Sequence, residues 1–142
     1  YLEYRNIIRH KMERGSYYNG EGFSAPQFIL DQGLETRDIL FLGYHIGYWV
    51  LDTYPPVRTA THPSNLCKEE MFPYYNPERL SAMQELRHLM QTIRPKTVIT
   101  RHNRRIFDKM HVEENAYMTQ VLEKHYRLIK TVDQADIFVR LE

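Results

Sequence analysis

Apolar residues recur along this chain with two periods, and the switches between them mark its elements. Tyr1, Tyr4, Ile7, Ile8 and Met12 fall near a 3.6-residue spacing, with Arg5, Arg9, Lys11 and Arg14 between them, which predicts an amphipathic helix over residues 1–14. Gly15 to Gly22 is punctuated by glycine and asparagine and predicts a loop. Ser24, Pro26 and Gln27 predict a helix start with Ser24 as cap and Gln27 completing a capping box, running to about Gln32 and closing at Gly33. Ile39 to Leu42 is a short run without a polar face, as expected of a strand covered on both sides. After Gly43, the stretch from His45 to Asp52 predicts a short helix that buries Ile46, Trp49, Val50 and part of Tyr48, stopped by Pro55 and Pro56.

Val57 to Thr61 predicts a second strand, and His62 to Tyr75 an irregular loop of the length that often carries function. A long helix is expected from the Asn76 cap and Pro77 to Ile93, with Leu80, Met83, Leu86, Met90 and Ile93 as its apolar stripe and Pro95 beyond its end. Lys96 to Thr100 predicts a third strand, followed by a basic loop over residues 101–105. Val112 to His125 predicts a last helix, with Glu113 and Glu114 in its first turn and Met118, Val121 and Leu122 facing inward. Arg127 to Val132 and Ala135 to Leu141 predict a hairpin around Asp133 and Gln134, its final strand alternating between a buried and a wetter face. Helix and strand thus alternate before a closing strand pair. That order predicts a three-layer α/β domain over residues 15–142, with a mainly parallel sheet and an antiparallel C-terminal hairpin at one edge.

The chain has 142 residues, which suits one domain with a core of its own. A net charge of +1 supplies no basic field of the kind that draws nucleic acid. Cys67 is the only cysteine, so neither a disulfide framework nor a thiolate metal cluster can form within the chain. The sequence contains no apolar run of membrane-spanning length. It opens on Tyr1 rather than methionine, as expected of a fragment of a longer protein or a processed chain, and residues 1–14 read as an amphipathic helix packed on the domain or as a helical connector from a preceding membrane segment or another domain.

Candidate chemistry gathers where strands end. Gly43-Tyr44-His45-Ile46-Gly47 has the place of a phosphate-binding turn but only two glycines, and no P-loop lysine motif occurs, so no nucleotide cofactor is expected. Seven histidines include no metal-binding pair on one helix, and no metal is expected; His45, His62 and His102 nevertheless leave one predicted sheet edge. Cys67 lacks a nucleophile elbow or a helix start to activate it, and no catalytic residue is assigned. Arg101, His102, Arg104 and Arg105 form an anion-binding candidate, because guanidinium forks match phosphate oxygens; Arg58 could join them.

Taken together, the strand Asp38-Ile39-Leu40-Phe41, Gly43, the helix with Tyr48 to Leu51, and Tyr54-Pro55-Pro56-Val57-Arg58-Thr59 resemble the soluble C-terminal domain of GT-C-type membrane glycosyltransferases. These include the dolichyl-phosphate-mannose-protein mannosyltransferases and the aminoarabinose transferases. Pro95 to Thr100 and Leu122 to Leu141 resemble the later strands of that domain. The resemblance implies an extracytoplasmic, periplasmic domain that caps a membrane-embedded active site of the same polypeptide. That site would take a polyprenyl-phosphate sugar donor and a glycan, lipid or protein acceptor, with its catalytic carboxylates outside this chain. Tyr44, His45, Arg58, His62, Asn65, Arg101, His102, Asn103 and Arg104 are the expected substrate-facing residues. The alternative is a free-standing α/β enzyme or binding module for a sugar-phosphate or nucleotide-like ligand, using Tyr44, His45, Arg101 and Arg104. A protein-interaction module built on Met71 to Tyr75 is a third reading, without a motif to support it.

Overall fold

The computed structural model describes residues 5, 8, 9, 11–13, 21–75 and 77–142. Of the expected connector, residues 5, 8, 9 and 11–13 are helical and the rest lies outside the described residues, as do residues 15–20 of the loop that follows. From there the order is α1 (Glu21–Asp31), β1 (Ile39–Phe41), α2 (Gly47–Val50), 3-10 turns at Arg58–Thr61, Pro63–Cys67 and Glu69–Met71, α3 (Phe72–Tyr75), α4 (Ala82–Arg87), β2 (Thr97–Arg101), α5 (Val112–His125), β3 (Tyr126–Val132) and β4 (Ala135–Arg140). Four strands form one sheet in the order β1-β2-β4-β3. β1 and β2 are parallel, with Leu40 opposite Val98, while β4 runs antiparallel to both β2 and β3.

Helices cover both faces, giving the expected three layers with the hairpin at one edge. On one face Ile39, Phe41, Ile99, Ala135 and Ile137 pack with Ala25 and Ile29 of α1 and Tyr48 of α2. On the other, Leu40, Leu42 and Val98 pack with Leu86 of α4 and Met118 and Leu122 of α5. Complete burial of β1 follows, as its uniform sequence predicts. The sheet is mixed, with a single parallel pairing, because Val57 to Thr61 does not join it: Val57 is extended but Arg58–Thr61 coils into a 3-10 turn. Thr59 there is held by a side chain instead of a neighbouring strand, its hydroxyl donating to Glu85 at 2.9 Å.

Several local expectations change once neighbours are present. α1 starts upstream of Ser24, whose hydroxyl donates to the carboxylate of Asp133 in the hairpin turn at 2.6 Å rather than capping the helix; the closing Gly33 has φ +64, as expected. α2 turns its other face inward. Gly47 lies against the ring of Phe41, which a Cβ there would strike, and the Tyr48 hydroxyl accepts the Phe41 N–H at 3.0 Å. Ile46 and Trp49, expected to be buried, are consequently exposed. Asn76 lies outside the described residues, and α4 begins later than expected, where Ser81 and Gln84 form a reciprocal capping box. Leu80 is left exposed ahead of it. The helix continues as a π-turn over His88–Ile93 and ends at Arg94 in the left-handed region. α5 has the predicted bounds. β4 does not alternate in burial: Ala135, Asp136 and Ile137 are all buried, because it lies inside the sheet between two strands and under helices on both faces.

Candidate functional site

Because β1 and β2 are parallel, the loops that follow them leave the same end of the sheet. Gly43, just after β1, is where they meet: a Cβ there would lie 2.8 Å from Cγ of Arg101, the last residue of β2, so the absent side chain lets Arg101 pass across the backbone. Tyr44 has φ +58 and Asn103 φ +54, a conformation that costs a non-glycine residue on the order of 1 kcal/mol. Both sit where a parallel strand turns away. The Tyr44 hydroxyl donates to the Gln134 carbonyl at 3.1 Å and the His102 N–H to the same oxygen at 2.8 Å, which ties both loops to the hairpin turn.

A cleft of about 300 Å³ opens beside them, walled by Gly43, Tyr44, His45 and Arg101, by the turn from His62 to Lys68, and by the loop from Ile106 to His111. The rings of His45 and His62 lie 4.5 Å apart at 60°. His62 stands at the entry of the turn Pro63–Cys67, and its Nδ1 accepts the Ser64 N–H at 3.2 Å and lies 2.8 Å from the Ser64 hydroxyl. Nδ1 is therefore the acceptor, and the proton of the neutral ring belongs on Nε2. Burial, then the neighbouring His45, then Lys68 hold the His62 pKa below its ordinary value. The third wall is fixed by Asn115 of α5, which accepts the Phe107 N–H at 2.8 Å and donates to the carbonyls of Phe107 and Asp108.

Cys67 lines the cleft but is buried, and its thiol is pushed up to about 12 by burial and by Glu114, Glu69 and Asp108. It stays protonated at neutral pH and is a poor nucleophile. Arg101 and Lys68 form no ion pair with any described carboxylate. The cleft thus offers cations and imidazoles to an incoming group.

Of the residues expected to face substrate, Tyr44, His45, His62 and Arg101 line this cleft. Asn103 and Arg104 line a neighbouring basic groove of about 460 Å³, which shares Arg101, Phe107 and Asp108 with it. His102 turns away: its Nδ1 lies 2.9 Å from the carboxylate of Asp136, which also accepts the Thr131 hydroxyl at 2.6 Å. Asn65 is spent locally, 3.4 Å from the Thr61 hydroxyl, and Arg58 is exposed without lining the cleft. The expected meeting of His45, His62 and His102 is accordingly reduced to the first two. No group of three or more His, Cys, Asp and Glu side chains among the described residues is placed to hold a metal ion.

Lys68, Asp108 and His111 also line the cleft and were not singled out in the sequence. The length and irregularity of the loop from His62 pointed at the region of Lys68. Nothing local marks Asp108 or His111, which arrive through the Asn115 clamp.

Comparison with protein-family models, with curated proteins and with solved structures finds no match to this chain. No helix of the described residues is long and apolar enough to cross a membrane.

Proposed function

We propose that this chain is the soluble accessory domain of a polyprenyl-phosphate-sugar-dependent membrane glycosyltransferase of the GT-C type. In this reading it caps a membrane-embedded active site from the extracytoplasmic side and shapes the access of donor or acceptor, while the catalytic carboxylates belong to the membrane part. One observation carries it. The segment behind the resemblance leaves the cleft at His45 and returns to it at His62, and between them it exposes Trp49 (79%) and Tyr54 (89%). Large amphipathic rings held in water are costly on an ordinary surface and suited to a membrane–water interface or a protein partner lying there. Trp49 is exposed because Gly47 and Tyr48 have taken the inward face of α2, so the outward aromatic follows from how the helix docks.

The test begins with the sequence upstream of Tyr1, where a run of hydrophobic helices is expected; an upstream sequence without one overturns the proposal. In the full-length protein, Trp49→Ala combined with Tyr54→Ala should lower sugar transfer from a polyprenyl-phosphate donor at unchanged expression. Transfer at the unaltered rate would show that the two exposed rings do not serve the reaction.

A further inference from the structure

The cleft at the carboxyl end of β1 and β2 brings together Lys68, Arg101, His45, His62 and His111, against one lining carboxylate among the described residues, Asp108. With the histidines neutral the lining holds two cations and one anion, a net charge of +1. With all three protonated it reaches +4. Such a site has a weak call on anions in one protonation state and a strong one in the other.

We infer that this cleft binds a doubly charged tetrahedral oxyanion of the phosphate-monoester class, held by Arg101, Lys68 and the His45–His62 pair, and that binding takes up a proton at His62. The guanidinium supplies a planar fork for two oxygens and the ammonium a compact charge, and no described carboxylate occupies either. Two imidazoles 4.5 Å apart repel each other once both are charged, and in the empty cleft this opposes protonation of His62. An arriving dianion removes that repulsion. His62 already has its Nδ1 committed to Ser64, so Nε2 is the nitrogen that offers a proton to the ligand. Its protonation is opposed first by burial, then by His45 and Lys68. Asp108, Glu69 and Glu114 are the carboxylates that act on the adjoining Cys67.

Sulfate is the probe of choice, because it stays a dianion while histidine titrates. The histidine Cε1–H resonances of the 142-residue chain would be followed by NMR during sulfate addition at about pH 7.5 and about pH 5.5, either side of the ordinary imidazole value. Saturable shifts of His45 and His62 are expected, with affinity rising by up to about tenfold per pH unit as His62 takes up its proton. Arg101→Ala and Lys68→Ala should each weaken binding about tenfold at both pH values, an ion-pair effect of about 1.4 kcal/mol. His62→Gln should keep binding at the higher pH and lose most of its increase at the lower one. Circular dichroism identifies any variant that fails to fold, and the conservative Arg101→Lys then replaces it. No saturable shift at the lower pH, or equal binding by the arginine variants and the parent, overturns the site; a full pH response in His62→Gln overturns the proton uptake. Sedimentation with phosphatidate-containing vesicles, beside phosphatidylcholine vesicles and glycerol phosphate in solution, then separates a lipid source from a free one. Failure of these titrations leaves the upstream-sequence test of the proposed function untouched.

Discussion

Two polar clusters lie on either side of the turn at Arg58–Thr61, and they are resolved in opposite ways. In the first, the fully buried carboxylate of Glu85 accepts the Thr59 hydroxyl at 2.9 Å and Arg79 Nε at 2.7 Å, so each of its oxygens has a partner. In the second, Arg101 and Lys68 border an open cleft and pair with no described carboxylate. A buried charge is tolerated only when it is paired, whereas an exposed cation can wait in water at little cost. The first cluster therefore anchors the loop that carries Pro55 and Pro56 to α4. The second is free to meet a ligand.

The sharpest way to break this contrast is Glu85→Ala, which removes the acceptor of the Arg79 Nε–H and of the Thr59 hydroxyl. A loss of about 3 kcal/mol is expected in urea unfolding, at the low end for a broken buried pair because Arg79 keeps some access to water. A loss below about 1 kcal/mol would mean that the loop does not depend on this anchor. Thr59→Val, close in shape, removes one hydrogen bond to a charged acceptor and should cost about 1.5 kcal/mol by the same measurement. If the two changes added fully in the double variant, the cluster would be a set of independent contacts; coupling of at least about 0.5 kcal/mol is expected instead.

On the cleft side, Arg101→Ala and Lys68→Ala should each move stability by no more than about 0.5 kcal/mol. A larger loss from either would show that the cation is already engaged within the fold. The smallest effect concerns His62. Its folded pKa lies below the unfolded value, so between the two the unfolded chain binds more protons. That contribution to stability is present above the unfolded value and is lost as the pH falls through the folded one. Urea midpoints measured at about pH 7.5 and about pH 5.5 should therefore fall less in His62→Gln than in the parent chain. An equal fall would place the acid sensitivity elsewhere.

Much of this molecule is written in short stretches of its own sequence. β1 reads as a covered strand because none of its residues is polar, and α5 reads correctly because its first-turn acids and inward Met118 and Leu122 agree. The same holds for the hairpin, whose Asp133 and Gln134 both take positive φ. Each of these signals needs nothing beyond a few neighbours along the chain.

What needed the tertiary structure is every choice between two chemically acceptable partners. Both faces of α2 are apolar enough to bury, and the ring of Phe41 decided for Gly47 and Tyr48. Val57 to Thr61 has strand composition, yet its threonine found a buried carboxylate 26 residues further on. His102 and His62 look alike in sequence, but Asp136 takes the first while His45 lies against the second. The sequence placed cationic and aromatic residues at the ends of β1 and β2. Which of them share one cleft was set by parallel pairing and by the Asn115 clamp, interactions between residues that no local pattern links.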